Sequence, residues 1–234
     1  MFSYAVIMII DHNHPAYRKK WDALTTGKYN GAFYYSKEIV KNIIPNVITD
    51  RNWVTILVPN TCLDHSIVFI HNNLHPEYYD YLKDYRDLIL VCGVQETATK
   101  LKKRLNHKTI YLPLSVDVEY VKQFIRPKTK DTAYVGRLEK TKYMDLPTGI
   151  DYIHGIKRQD MLPIVAEYRK IYAVGRTAVE GRILGCQILN ADKRYPKKRW
   201  RVLDNKEAAK LLQDKLDKID KCNKAKNTQK SDKD

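Results

Sequence analysis

Ser66-Ile-Val-Phe-Ile70 and Leu88-Ile-Leu-Val-Cys92, with a helix-period stretch at 76–85 between them and another at 96–105 ahead of Thr109-Ile-Tyr-Leu112, decide how this chain folds. Each apolar run is short, rich in β-branched residues and followed by polar or turn residues, as expected of a strand buried on both faces. Helices alternating with such strands predict a parallel sheet covered on both sides. Upstream, residues 5–10 and 53–58 read as two further strands, with a helix over 36–44 between them.

Downstream, the polar stretch Pro127-Lys-Thr-Lys-Asp131 reads as a hinge, and a second cycle follows it. Strands are expected at 132–135, 170–174 and 186–189, with helices at 160–168 and 178–184. The fold class predicted is α/β, as two small Rossmann-like halves, 1–126 and 127–203, with a cleft between them. A last helix within 204–220 carries Ala208, Leu211, Leu212, Leu216 and Ile219 on one stripe. Residues 221–234, almost without apolar side chains, are expected to form a disordered basic tail.

The chain has 234 residues, 44% hydrophobic and 29% charged, which suits a folded globular protein with one large or two compact domains. Its formal charge of +15 attracts polyanions such as nucleic acid, anionic lipid or phosphorylated metabolites. About half of that excess lies after residue 192, where 15 basic and 7 acidic residues stand. The longest apolar run, residues 4–10, is far short of the roughly 20 residues that span a bilayer and has no basic flank before it, so neither a membrane span nor a secretory signal is expected. Four widely spaced cysteines, Cys62, Cys92, Cys186 and Cys222, without a C-x-x-C pair, point to a reduced, cytoplasmic protein with no cysteine zinc site.

Ligands of open α/β sheets sit beyond the carboxyl ends of the strands, where helix starts hold phosphate. Two loops there stand out. Val135-Gly136-Arg137-Leu138-Glu139-Lys140-Thr141-Lys142 combines a tight turn with cations suited to a diphosphate. Val174-Gly175-Arg176-Thr177-Ala178-Val179-Glu180-Gly181 opens the next helix and runs on to Gly185.

At these residues the sequence resembles the retaining glycosyltransferases of the two-domain GT-B fold, a group with many bacterial and phage sugar transferases. Arg137 and Lys142 keep the spacing of that family's V-G-R-L…K segment. Residues 175–189 resemble its donor-site helix, and Tyr111-Leu112-Pro113-Leu114-Ser115-Val116-Asp117 is similar to its interdomain segment. The resemblance covers about half the chain, in order. It implies a GT-B-like architecture, with 1–126 on the acceptor side and 127–203 binding the nucleotide sugar. It also implies that Arg137 and Lys142 face the donor diphosphate, with Gly136 making the tight turn of their loop at the nucleotide-sugar site, that Gly175 to Thr177, through Arg176, present backbone N–H groups, and that Glu180 accepts hydrogen bonds from ribose hydroxyls. The co-substrate implied is a nucleotide-diphosphate sugar, a UDP-sugar, with no tightly bound cofactor. Two positions depart from the family. Tyr172 stands where another acid often precedes the ribose-binding Glu, and Asp11-His12-Asn13-His14-Pro15 replaces a glycine-rich loop.

Each candidate also has a plainer reading. Thr177 and Glu180 have capping-box spacing, Arg137 and Lys142 fit solvated charge, and Gly136 and Gly175 fit simple turns. His71, heading the cluster His71-Asn72-Asn73 with His75, is the catalytic candidate, placed to orient or deprotonate an acceptor hydroxyl; local capping of its strand is the rival. Asp11, His12 and His14 make only a partial metal set, so no metal is expected. Phe33-Tyr34-Tyr35 and Tyr78-Tyr79-Asp80-Tyr81 read as packing rather than base stacking. Residues 193–201, with Lys197, Lys198, Arg199 and Arg201, fit either a track for a nucleic-acid backbone or a connector whose Trp200 anchors the last helix onto the first half. The function expected is sugar transfer to a hydroxyl acceptor, with modified DNA as one candidate. The alternative is a non-catalytic scaffold that binds nucleic acid or an acidic protein.

Overall fold

The computed structural model describes residues 35, 38–55, 63–71, 76–189, 191–194 and 200–231. The expected strand at 5–10, the Asp11 to Pro15 segment, Phe33, Tyr34, the Asn72, Asn73 and His75 cluster, Lys197, Lys198 and Arg199 lie outside the described residues.

Strands β1 (Asn52–Val54), β2 (Ser66–Ile70), β3 (Ile89–Cys92) and β4 (Lys108–Tyr111) form one parallel sheet in sequential order, with Ile67 opposite Ile89 and Val91 opposite Ile110. Every residue of β2 and β3 is buried, because alternate side chains enter two different cores. Trp53, Ile67, Phe69, Ile89 and Val91 pack with Ile39, Ile43 and Ile44, whereas Val54, Val68, Ile70, Leu90 and Cys92 pack with Leu82, Leu101 and Leu105. The latter face is covered by the 3₁₀ turns Pro76–Asp84 and by α1 (Gln95–Leu105). The helix expected over 36–44 is a π-helical stretch, Ile39–Ile43, tightening into the 3₁₀ turn Ile44–Asn46. Pro45 sits at the start of that turn, where its missing N–H removes a helical hydrogen bond.

The second sheet has β5 (Lys130–Val135), β6 (Asp151–Ile153), β7 (Tyr168–Tyr172) and β8 (Gln187–Leu189), all parallel in the order β6-β5-β7-β8. One face, with Ala133, Val135, Ile153 and Ile171, is packed with residues of α3 (Arg158–Val165) and α4 (Arg176–Ile183). At Gly181 the α4 backbone lies so close to the sheet that an added Cβ would come within 2.4 Å of Ile171 Cδ1. The chain is therefore α/β, and its described residues form two four-stranded parallel, Rossmann-like sheets.

The handover between the two cores falls earlier than the predicted boundary at 126. Leu114 packs against both cores, and Val116, Val121 and the short α2 (Val118–Lys122) belong to the second. The expected hinge is also pinned: Lys128 Nζ donates to the carbonyls of Ala166 (2.8 Å) and Leu184 (2.7 Å), and Lys130 already lies in β5. Buried carbonyls need donors, and an amphipathic lysine supplies them here.

Trp200 is buried in the second core, not against the first half as one reading of the connector had it, and Leu203 is the residue that enters the first core. From there α5 (Asn205–Ser231) lays Ala208, Ala209, Leu212 and Leu216 onto the first sheet beside Ile39 and Ile43. The helix continues through 221–231, correcting the expectation of a disordered tail there. Residues 221–231 contain neither Gly nor Pro, so nothing in the backbone interrupts a helix already nucleated by the packing of Ala208 to Leu216. No helix among the described residues is long and apolar enough to cross a membrane.

Candidate functional site

Leu114 marks where the carboxyl ends of the two sheets come together. A Cβ on Gly93, just past β3, would lie 2.7 Å from its Cδ2, and a Cβ on Gly175, three residues past β7, would lie 3.9 Å from its Cδ1. Gly175 has φ +66° and ψ −138°, a conformation that side chains disfavour, and it is the N-cap of α4. The capping-box reading of Thr177 and Glu180 therefore fails: Thr177 is already inside the helix, and no side chain caps its start.

Glu180 has a different partner set. Its side chain, 4% exposed, accepts from Arg158 Nε at 2.6 Å and meets Arg176 Nε at 3.1 Å. Both guanidinium groups reach on to Glu38 of the first half, Arg176 Nη2 at 3.5 Å and Arg158 Nη1 at 3.9 Å from the same carboxylate oxygen. The other Glu38 oxygen accepts from the amides of Asn205 (2.9 Å) and Asn42 (3.2 Å). Arg158 also lies over the Tyr120 ring, 5.1 Å from its centroid. Among the described residues, two arginines and two glutamates thus meet in a buried cluster that joins both halves and the start of α5. Burying such charges is tolerable because opposite charges stand against them.

Tyr35 stands next to this cluster. Burial pushes its phenol above the ordinary tyrosine range, against hydrogen bonding with Ser115 and the nearby Arg176 charge. Its ring meets His71 edge-on at 5.9 Å. His71 Nε2 lies 2.5 Å from the Thr55 carbonyl, which can only accept, so Nε2 carries the proton and Nδ1 is the basic nitrogen of the neutral ring. This contact is the local capping of the strand end that the plainer reading of His71 expected.

Arg137 and Lys142 sit elsewhere, exposed on the 3₁₀ turn Leu138–Tyr143 and its N-cap. Gly136, at φ +155°, lies so close under the Tyr134 hydroxyl that a Cβ would fall 2.8 Å from it. That hydroxyl donates to the Arg137 carbonyl at 2.7 Å, and burial, with Asp192 nearby, pushes it up to about 12. Asp192 is buried and gripped by Arg194 through Nε (2.9 Å) and Nη2 (2.7 Å). Burial raises its carboxyl, but the Arg194 bonds prevail and leave it below the usual range. Arg194 also stacks 4.0 Å from the Tyr143 centroid, with Lys142 Nζ 5.0 Å from the same ring. Lys140, between Arg137 and Arg194, is shifted down by burial and by those two like charges.

The sequence candidates therefore divide. Gly175, Arg176 and Glu180 come together, with Thr177 beside them on α4, and His71 joins through Tyr35; Gly136, Arg137 and Lys142 gather round Tyr134 and Asp192. Arg201 is exposed beyond Trp200. Sequence reading missed Arg158 and Glu38, and it did not foresee that Arg194 of the basic stretch would hold Asp192 beside Lys140. Arg158 carries one recoverable signal, its place at a helix start just after a strand. Among the described residues no His, Cys, Asp and Glu side chains group to hold a metal. The chain matches no protein-family model and no curated protein.

Proposed function

We propose that the chain is a compact GT-B-type glycosyltransferase that moves a sugar from a nucleotide-diphosphate sugar, a UDP-sugar, to a hydroxyl acceptor in a cleft between its halves. One observation carries this reading: Glu180 and two arginines are gathered behind the Gly175 turn, where the carboxyl ends of two parallel sheets converge. Nucleotides bind in that position in open α/β sheets. In this scheme Glu180 takes the ribose hydroxyls, Arg137 and Lys142 meet the diphosphate from their exposed turn, and His71 Nδ1 faces the acceptor. The bond from the anomeric carbon to the diphosphate oxygen breaks as the acceptor oxygen bonds to that carbon, and the acceptor proton leaves to a base. Cations fixed beside the departing diphosphate stabilise the charge that develops on it.

The net charge of +15 makes modified DNA a fitting acceptor. The rival reading, a non-catalytic scaffold, draws on the mutual neutralisation of the four buried charges. Turnover separates the two. With UDP-sugars and hydroxylated acceptors, including hydroxymethylated DNA, the wild-type chain releases UDP and glycosylates the acceptor, and the Arg137→Ala, Lys142→Ala double variant does not. Duplex binding, if DNA is the acceptor, weakens with salt by roughly 0.9 log unit per phosphate contact in a log-log plot and survives in that variant. DNA binding without turnover on any acceptor favours the scaffold.

A further inference from the structure

We infer that Arg158 and Arg176 form a second phosphate-binding pair of the donor site, in addition to Arg137 and Lys142, and that the Glu38 carboxylate occupies that phosphate position and gives way when a diphosphate arrives. The inference rests on the nucleotide-sugar reading above and adds to it Arg158, which neither motif nor spacing indicated, and a side-chain role for Arg176. A guanidinium fork fits carboxylate and phosphate oxygens alike, so a pair of arginines holding a carboxylate is also a pair able to hold a phosphate.

The distances separate a fixed partner from a replaceable one. Glu180 lies at 2.6 Å from Arg158 and 3.1 Å from Arg176, all three within the second half, and it orients both guanidinium groups. Glu38 comes from the first half and reaches the same two groups only at 3.9 and 3.5 Å. Contacts of that length are ion pairs rather than well-formed hydrogen bonds. The other Glu38 oxygen is held by Asn205 of α5 at 2.9 Å and by Asn42, four residues along its own helical segment, at 3.2 Å, and the Asn42 bond is a partner on its own segment that the side chain can keep when it leaves the arginines. Charge points the same way: Glu38 brings a single negative charge to the two guanidinium groups, whereas a diphosphate brings more than one. The Gly175 turn and the first residues of α4 carry Arg176 itself, so a phosphate seated there also meets the positive end of that helix.

The test is a calorimetric titration of the full chain with inorganic pyrophosphate and, separately, with UDP, on wild type, Glu38→Gln and Arg158→Lys, with folding checked by thermal unfolding. Removing the competing charge should make Glu38→Gln bind pyrophosphate roughly tenfold or more tightly than wild type, although the protein melts lower. Arg158→Lys keeps the charge but loses the fork, and should bind both probes at least about tenfold more weakly. A merely structural ion pair predicts the lower melting temperature and no gain in affinity. If Glu38→Gln does not fold, Glu38→Ala, which removes the carboxylate without placing an amide against the arginines, takes its place. Unchanged or weaker pyrophosphate binding in the folded Glu38 variant, or wild-type affinity in Arg158→Lys, overturns the inference; UDP binding to wild type in that case leaves the nucleotide-sugar reading intact. No binding of either probe to any of the proteins overturns both.

Discussion

Glu180 and Arg137 are marked by the same sequence resemblance, yet the chain treats them in opposite ways. The Glu180 side chain is 4% exposed and locked between two guanidinium groups, while Arg137 stands in solvent at the start of a single 3₁₀ turn. Buried charge is defined by its neighbours, because it has no water to fall back on, and exposed charge is defined by what arrives from solution. A substitution in the first place therefore reads out folding before it reads out binding, and in the second place the order reverses.

The largest expected effect tests the buried side of that contrast. Glu180→Ala leaves two arginines facing one carboxylate and should cost about 3–5 kcal/mol of unfolding free energy in a denaturant titration. Loss of nucleotide binding in that variant would say little about ribose, so Glu180→Gln, which keeps an acceptor and the side-chain volume, is the variant to carry the binding measurement. Wild-type stability in Glu180→Ala would mean that the cluster does not close as described.

On the exposed side, Arg137→Ala and Lys142→Ala should each change stability by no more than about 0.5 kcal/mol. Together they should still weaken nucleoside-diphosphate binding by about 1–3 kcal/mol, the range of hydrogen bonds to charged groups. A double variant that unfolds early would place these side chains in the packing instead.

The smallest effect concerns Asp192, which joins the two regimes by being buried under an exposed loop. Its folded-state pKa is depressed, so its stabilisation is present above the unfolded value and is lost as pH falls through the folded one. Asp192→Asn should therefore flatten the acid limb of the stability profile below about pH 4, with less change in slope nearer neutrality. An unchanged acid limb would remove the Arg194 grip as a source of stability.

The same contrast explains what the sequence could reveal. β2 and β3 were legible because every side chain is buried and the run is continuously apolar. β6 was not, since only Ile153 of its three residues is buried and Gly149 and Gly155 flank it. The helix at 176–183 and its glycines were legible from local spacing, but the capping-box alternative could be discarded only once Gly175 was seen to be the N-cap. Glu38 was out of reach altogether: its partners lie on α3, α4 and α5, and the hydrogen bond from Asn205 spans 167 residues of chain. Local pattern reports which loops can receive a ligand. It cannot report that an acid from the other half already sits on their cations.

The most direct test is whether the folded chain binds a nucleoside diphosphate at the convergence of its two sheets. Hydrogen exchange on the full chain, with and without saturating UDP, measures this residue by residue. The result predicted is slowed exchange over residues 173–179, just past β7, and over 136–142, just past β5, with faster exchange in the 38–46 segment as Glu38 is released. No protection in either loop with UDP, nor with GDP, ADP or CDP in its place, would contradict the account.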